Sequence, residues 1–89
     1  MEIRISPDAV VSGDRNLVVF DAHIRESSVQ CSIAREALEL YFWAPAGATD
    51  AQLLKSLFVG RKRIEAIVSR KLLATPGEAV GLSMSDFAR

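Results

Sequence analysis

One cysteine, one histidine and one tryptophan are spread over 89 residues, and these scarcities remove whole classes of function. A lone Cys31 cannot close an internal disulfide. With His23 as the only imidazole, the chain has no Cys- or His-rich set from which to build a metal centre, so no metal or cofactor is expected. The longest apolar run, Leu40 to Ala46 around Pro45, is far short of the roughly 20 residues of a membrane span, and no membrane contact is expected. The opening Met1-Glu2-Ile3-Arg4 has neither the basic nor the apolar region of a secretory signal, which points to the cytoplasm. Net charge is absent too. Eleven basic residues balance eleven acidic ones, which argues against a wholly basic nucleic-acid binder.

What is present suits one small domain. Hydrophobic residues make up 49% of the chain and charged ones 25%, the ordinary globular mixture rather than a disordered one. The charge is unevenly placed. Residues 1–54 carry four arginines against eight acids, whereas residues 55–71 carry Lys55, Arg61, Lys62, Arg63, Arg70 and Lys71 against Glu65 alone.

Periodicity gives the elements. Residues 2–6 alternate as a short edge strand that stops at Pro7. A turn-rich stretch, Ser12-Gly13-Asp14-Arg15-Asn16, separates Ala9-Val10-Val11 from a better strand over residues 17–23, in which Val18, Phe20 and Ala22 form the core face. Val29, Cys31 and Ile33 alternate next. A hairpin closed around residues 24–27 sets His23 opposite Ser28, Ala22 opposite Val29, Phe20 opposite Cys31 and Val18 opposite Ile33, so that every apolar partner shares a face. Ser32 is expected to cap a helix over residues 33–42, broken by Trp43-Ala44-Pro45-Ala46-Gly47-Ala48. Thr49 or Asp50 then caps one long helix over residues 50–73, whose stripe is Leu53, Leu54, Leu57, Phe58, Ile64, Ile67, Val68 and Leu72, and which ends at Thr75-Pro76-Gly77. Val80, Leu82 and Met84 alternate as a last strand, with Phe87 folding back as an anchor. The expected fold is α+β, a two-layer sandwich of order β-β-β-α-α-β. Its sheet is mainly antiparallel with three to four strands, and both helices lie on one face.

These pieces together resemble a bacterial family known as domain of unknown function 1488. The matching residues are Val18-Val19-Phe20-Asp21-Ala22, Val29-Gln30-Cys31-Ser32-Ile33, Arg35-Glu36-Ala37-Leu38, Leu54, Phe58, residues 61–64, Lys71-Leu72 and residues 82–87. The resemblance covers nearly all of the chain from about Asp14 onward, and it rests on the order of many modest signals rather than on one motif. The chain departs from it at Arg25-Glu26-Ser27-Ser28, where the family usually has a turn containing glycine. The resemblance implies a small α+β domain of the bacterial cytoplasm, often a stand-alone protein, and brings no catalytic residue to transfer.

Several residues qualify as candidates for function. On the wheel of the long helix, Arg61 falls inside the apolar stripe. Its expected role is structural, in an ion pair such as one with Asp86, a bond to backbone carbonyls, a tie to a loop or a reach to the edge of the layer, with an anionic ligand as the alternative. Lys55, Lys62, Arg63 and Arg70 share the opposite arc and could lie along phosphates or simply face water; no aromatic residue interleaves with them in that helix. Leu17 and Val19 occupy the uncovered sheet face near Ala79, Gly81 and Ser83, which suits either a wetted sheet or a homodimer contact. Phe42 and Trp43 either close the core or form a contact point. Asp21, His23, Ser28, Gln30 and Ser32 share a flat face with no oxyanion donors, so catalysis is not expected. Cys31 reads as a small buried hydrophobe. The leading expectation is therefore a non-enzymatic interaction or adaptor domain, self-associating or bound to another protein. The alternative is weak nucleic-acid binding through the four cations.

Overall fold

The computed structural model describes residues 3–6, 8–14, 16–74 and 79–87. Its strands are β1 (Arg4–Ile5), β2 (Val10–Val11), β3 (Leu17–Ile24), β4 (Ser27–Ala34) and β5 (Val80–Leu82). Its helices are α1 (Arg35–Tyr41), α2 (Asp50–Val59) and α3 (Arg61–Ala74), and a 3-10 turn spans Met84–Asp86. Glu2 and Pro7, at the ends of the expected first strand, and the expected stop at Thr75-Pro76-Gly77 lie outside the described residues.

The fold is α+β. Strictly alternating burial organises the β3–β4 hairpin: Val18, Phe20 and Ala22 are buried, as are Cys31 and Ile33, while the residues between them face outward. The observed register pairs Val18 with Ile33, Phe20 with Cys31, Ala22 with Val29 and His23 with Ser28, as the alternation requires. β1 and β2 lie one after the other along β3, pairing Ile5 with Ala22 and Val11 with Val18. On the other side β5 joins β4 in parallel, with Val80 and Leu82 beside Cys31 and Ile33. The sheet is thus mixed and five-stranded, in the order β1-β3-β4-β5 with β2 also on β3. It gains its parallel pair because three helices intervene between β4 and β5, and such a crossover returns the chain in the same direction.

Helix boundaries differ from expectation in two places. Ser32 does not cap a helix. It stays in β4, paired with Val19 and Gly81, and α1 starts only at Arg35, whose N–H is taken by the Asn16 carbonyl at 2.9 Å. The long helix expected over residues 50–73 is two helices with a break at Gly60. Thr49 caps the first of them through a full capping box with Gln52, satisfying two orphan donors at once. Leu53 and Leu57 of α2 and Ile64, Val68 and Leu72 of α3 enter one core, but Phe58 of the expected stripe remains 47% exposed. No helix among the described residues is long and apolar enough to cross a membrane.

Glycine stands at the break for want of space rather than for a special backbone. Its φ of −91° and ψ of 12° are open to any residue. A Cβ at that position would overlap Cδ1 and Cε1 of the buried Phe42 ring. In the β3–β4 hairpin, by contrast, conformation is the issue. Ile24 pairs with Ser27 across a two-residue loop, and Arg25 takes a φ of 56°. Glycine is favoured there because a Cβ penalises the left-handed region.

Two stability outcomes follow. Gly60→Ala is expected to destabilise by about 1–2 kcal/mol, the overpacking penalty less the smaller entropy gain from removing a glycine. In urea melts, a Phe42→Leu change made alongside it should recover part of that loss, and full additivity of the two changes would rule out the ring contact. Arg25→Gly is expected to be neutral or stabilising by up to about 1 kcal/mol, because strain relief opposes the greater freedom of glycine in the unfolded chain.

Candidate functional site

The end of α1 turns sharply. Phe42 N–H and Ala44 N–H both donate to the Leu38 carbonyl at 3.1 Å, and Trp43 between them has a φ of 61°. A left-handed residue just past a helix is a common terminator, normally glycine. The turn splits the two aromatic residues that the sequence offers as a pair. Phe42 enters the core at 6% exposure, whereas Trp43 stands out at 86%.

Phe42 lands on the α2–α3 junction, and the rings around it gather there. Phe87 meets Phe42 edge-on with centroids 5.2 Å apart, and Tyr41 lies 5.9 Å from Phe87. Over them sits the Arg63 guanidinium, 5.4 Å from the Phe42 centroid, 5.6 Å from Phe87 and 6.0 Å from Tyr41. Each such contact is worth about 0.5–1 kcal/mol at an exposed site. Arg63 is exposed, as on the solvated arc assigned to it, and also lies over an aromatic cluster.

Arg61 reaches a backbone carbonyl, one of the structural partners expected for it. Its Nη1 donates to the Phe58 carbonyl at 2.9 Å, and its guanidinium lies 4.7 Å from the centre of the Phe58 ring. It adds a donor to a carbonyl at the end of α2 that the Gly60 N–H also approaches, where a cation suits the helix dipole. Among the described residues Arg61 forms no ion pair. Lys71 takes Asp86 instead, at 2.8 Å, and donates to the Gly81 carbonyl at 3.2 Å.

Between these elements lies an open concavity of about 370 Å³, lined by Tyr41, Phe42, Trp43, Val59, Gly60, Arg61, Lys62 and Arg63. That is within the size range of small-ligand sites. Val59 is 69% exposed, so the rim pairs two uncovered apolar groups with three consecutive cations, and no carboxylate lines it. All four cations of the expected arc, Lys55, Lys62, Arg63 and Arg70, are exposed; Lys62 and Arg63 border the hollow, with Lys55 and Arg70 beyond its lining. Sequence reasoning missed the junction; the available signal was Gly60 inside a helical pattern, since such a glycine often marks a close backbone approach.

The open sheet face does bring its candidates together. Leu17, Val19, Gln30, Ser32, Ala79 and Gly81 line a shallower concavity of about 300 Å³, and Leu17 is 38% exposed. Asp21 and His23 lie on the same outer face. Among the described residues, no three His, Cys, Asp or Glu side chains converge as a metal-binding group. Cys31 is buried, its thiol pushed up to about 11 by desolvation, so it stays protonated at neutral pH.

The C-terminal turn that delivers Phe87 beneath the concavity is held by Asp86. Burial pulls this carboxyl upward, but hydrogen bonds from Lys71 and from the Ser83 N–H outweigh that effect and leave it below its ordinary value of 3.8. A depressed carboxyl stabilises the fold above its unfolded pKa and loses that contribution as pH falls through its folded value. Asp86→Asn is thus expected to cost about 0.5–1 kcal/mol at pH 7, where solvent screens the pair. The difference from the parent should shrink below about pH 4 in acid melts, and a constant difference down to pH 2 would remove the carboxylate from this role.

No curated protein and no solved structure matches the chain. A family model does match, that of the protein of unknown function family DUF1488, over residues 5–82. The match takes in the hairpin, the three helices and the returning strand, and the chain belongs to that family.

Proposed function

We propose that the protein is a non-enzymatic binding module whose recognition surface is the concavity at the α2–α3 junction. One observation carries this reading: the only tryptophan of the chain is 86% exposed on a left-handed backbone at the rim of a cation-lined hollow. Both properties are unfavourable for a residue with a purely structural role. A bulky side chain in that conformation costs about 1–2 kcal/mol, and an exposed indole contributes almost no burial. Strained backbone with an uncovered aromatic group is the combination expected where stability yields to binding. The lining supports binding rather than catalysis, since it offers cations and rings but no carboxylate or imidazole to act as a general base.

Self-association through Leu17 and Val19 is the competing reading, and the two readings predict different maps. In amide-resolved NMR titrations with a panel of small aromatic and anionic probes, shifts are expected at residues 41–43 and 59–63. Clustering instead at Leu17, Val19 and Gly81, with a sedimentation coefficient that rises with concentration, would move the function to the sheet face. Trp43→Asn is expected to keep or raise the melting temperature, by up to about 1 kcal/mol of added stability, while abolishing the shifts. A large loss of stability in that variant would assign Trp43 to the fold.

A further inference from the structure

We propose that the concavity takes single-stranded nucleic acid, with one base stacked on the Trp43 indole and the adjoining phosphates against Lys62 and Arg61. This rests on the junction being the recognition surface, and it is argued from what surrounds the indole.

The indole supplies a flat apolar face, which a base fills and an acidic side chain does not. Stacking of this kind is tolerant of sequence because every base has such a face. Next to it are Arg61, Lys62 and Arg63, whose charges suit phosphate. Lys62 is exposed and makes no ion pair with the described residues. The one acid among residues 55–71, Glu65, is turned away, accepting from the Ile5 N–H at 3.0 Å. Local charge at the site is therefore positive although the whole chain is neutral.

A free nucleotide fits less well than a strand. The neutral hydrogen-bonding groups of the lining side chains are the Tyr41 hydroxyl and the Trp43 indole N–H, few with which to read a base edge or hold an isolated base. The cations continue beyond the hollow in both directions. Lys55 lies one turn before Val59 on α2, and Arg70 lies two turns after Arg63 on α3, about 10 Å further on. A polyanion that passes over the indole meets charge on each side. A duplex would keep its bases stacked on one another and leave the indole without a partner.

Trp43 itself provides the readout. Titration of the whole protein with a twelve-nucleotide oligothymidylate in 50 mM salt is expected to quench its fluorescence saturably. The affinity should fall as salt rises, with a logarithmic slope of about −0.7 for each phosphate engaged. Trp43→Ala, followed by a labelled oligonucleotide, is expected to weaken binding roughly tenfold, and Trp43→Phe to retain part of the affinity. Lys62→Glu should weaken binding and make the salt slope shallower while the melting temperature stays unchanged. Binding that is indifferent to Trp43→Ala overturns the proposal, as does an equal affinity for thymidine monophosphate. If a polyglutamate peptide binds as tightly with the same quenching, the nucleic acid is overturned and the recognition surface stands. If no probe quenches Trp43 and none shifts residues 41–43 or 59–63, both fall.

Discussion

The contact between the Phe42 ring and the bare backbone of Gly60 governs the shape of this molecule. It is a packing constraint with two consequences. Because no side chain intervenes, the end of α1 can press directly on the helical layer, and Phe42 becomes the point where α1, the α2–α3 junction and the C-terminal turn meet. At Gly60, against the ring, the chain from Asp50 to Ala74 divides into α2 and α3, whose apolar residues enter one core. The aromatic stack of Phe42, Phe87 and Tyr41 beneath Arg63 follows from the first consequence. The concavity follows from the second, since a continuous helix would not present the residues on either side of Gly60 around a hollow.

The other end of the structure depends on α3. This helix sends Glu65 to the free Ile5 N–H of β1 and Lys71 to the Gly81 carbonyl of β5. Polar groups on outer strands would otherwise be templates for pairing with another chain. One helix thus covers groups on both flanks of the sheet while its Ile64, Val68 and Leu72 fill the core between them. Addition of a strand is disfavoured at those points. Lys71 also fixes Asp86, and so the position of Phe87. The same helix that closes the sheet thereby supports the floor of the concavity.

The β half of this architecture was legible in the sequence because its determinants are local. Alternation with a period of two leaves one register in which Val18, Phe20, Ala22, Cys31 and Ile33 all face inward, and a slip of one residue would expose the whole set. The helical half was legible in content but not in geometry. A wheel drawn over residues 50–73 puts Ile64, Ile67, Val68 and Leu72 on the core side, where they are found, but it carries no hint that Arg61 turns back to the Phe58 carbonyl or that Arg63 covers rings contributed by α1 and the C-terminus. No periodicity carries that information, since it arises from the meeting of segments some twenty residues apart in sequence. The sheet-face group of Leu17, Val19, Ala79 and Gly81 was found because strand order and alternation suffice to place it. The junction was not, because Trp43 and Lys62 become neighbours only through Phe42.

Phe42 and Trp43 are adjacent, and the core can accept only one of them. Once Phe42 points inward, the chain must reverse within a residue so that Ala44 can return to the Leu38 carbonyl and be buried in turn. That reversal requires left-handed backbone at position 43. Glycine or asparagine would supply it with less strain, and the fold asks nothing of the side chain there beyond that it stay out of the way. The fold therefore accounts for the backbone of Trp43 but not for its indole. The indole shares its concavity with Val59 and a run of cations. Shape and charge, which the sequence seemed to place on separate elements, converge at this one residue.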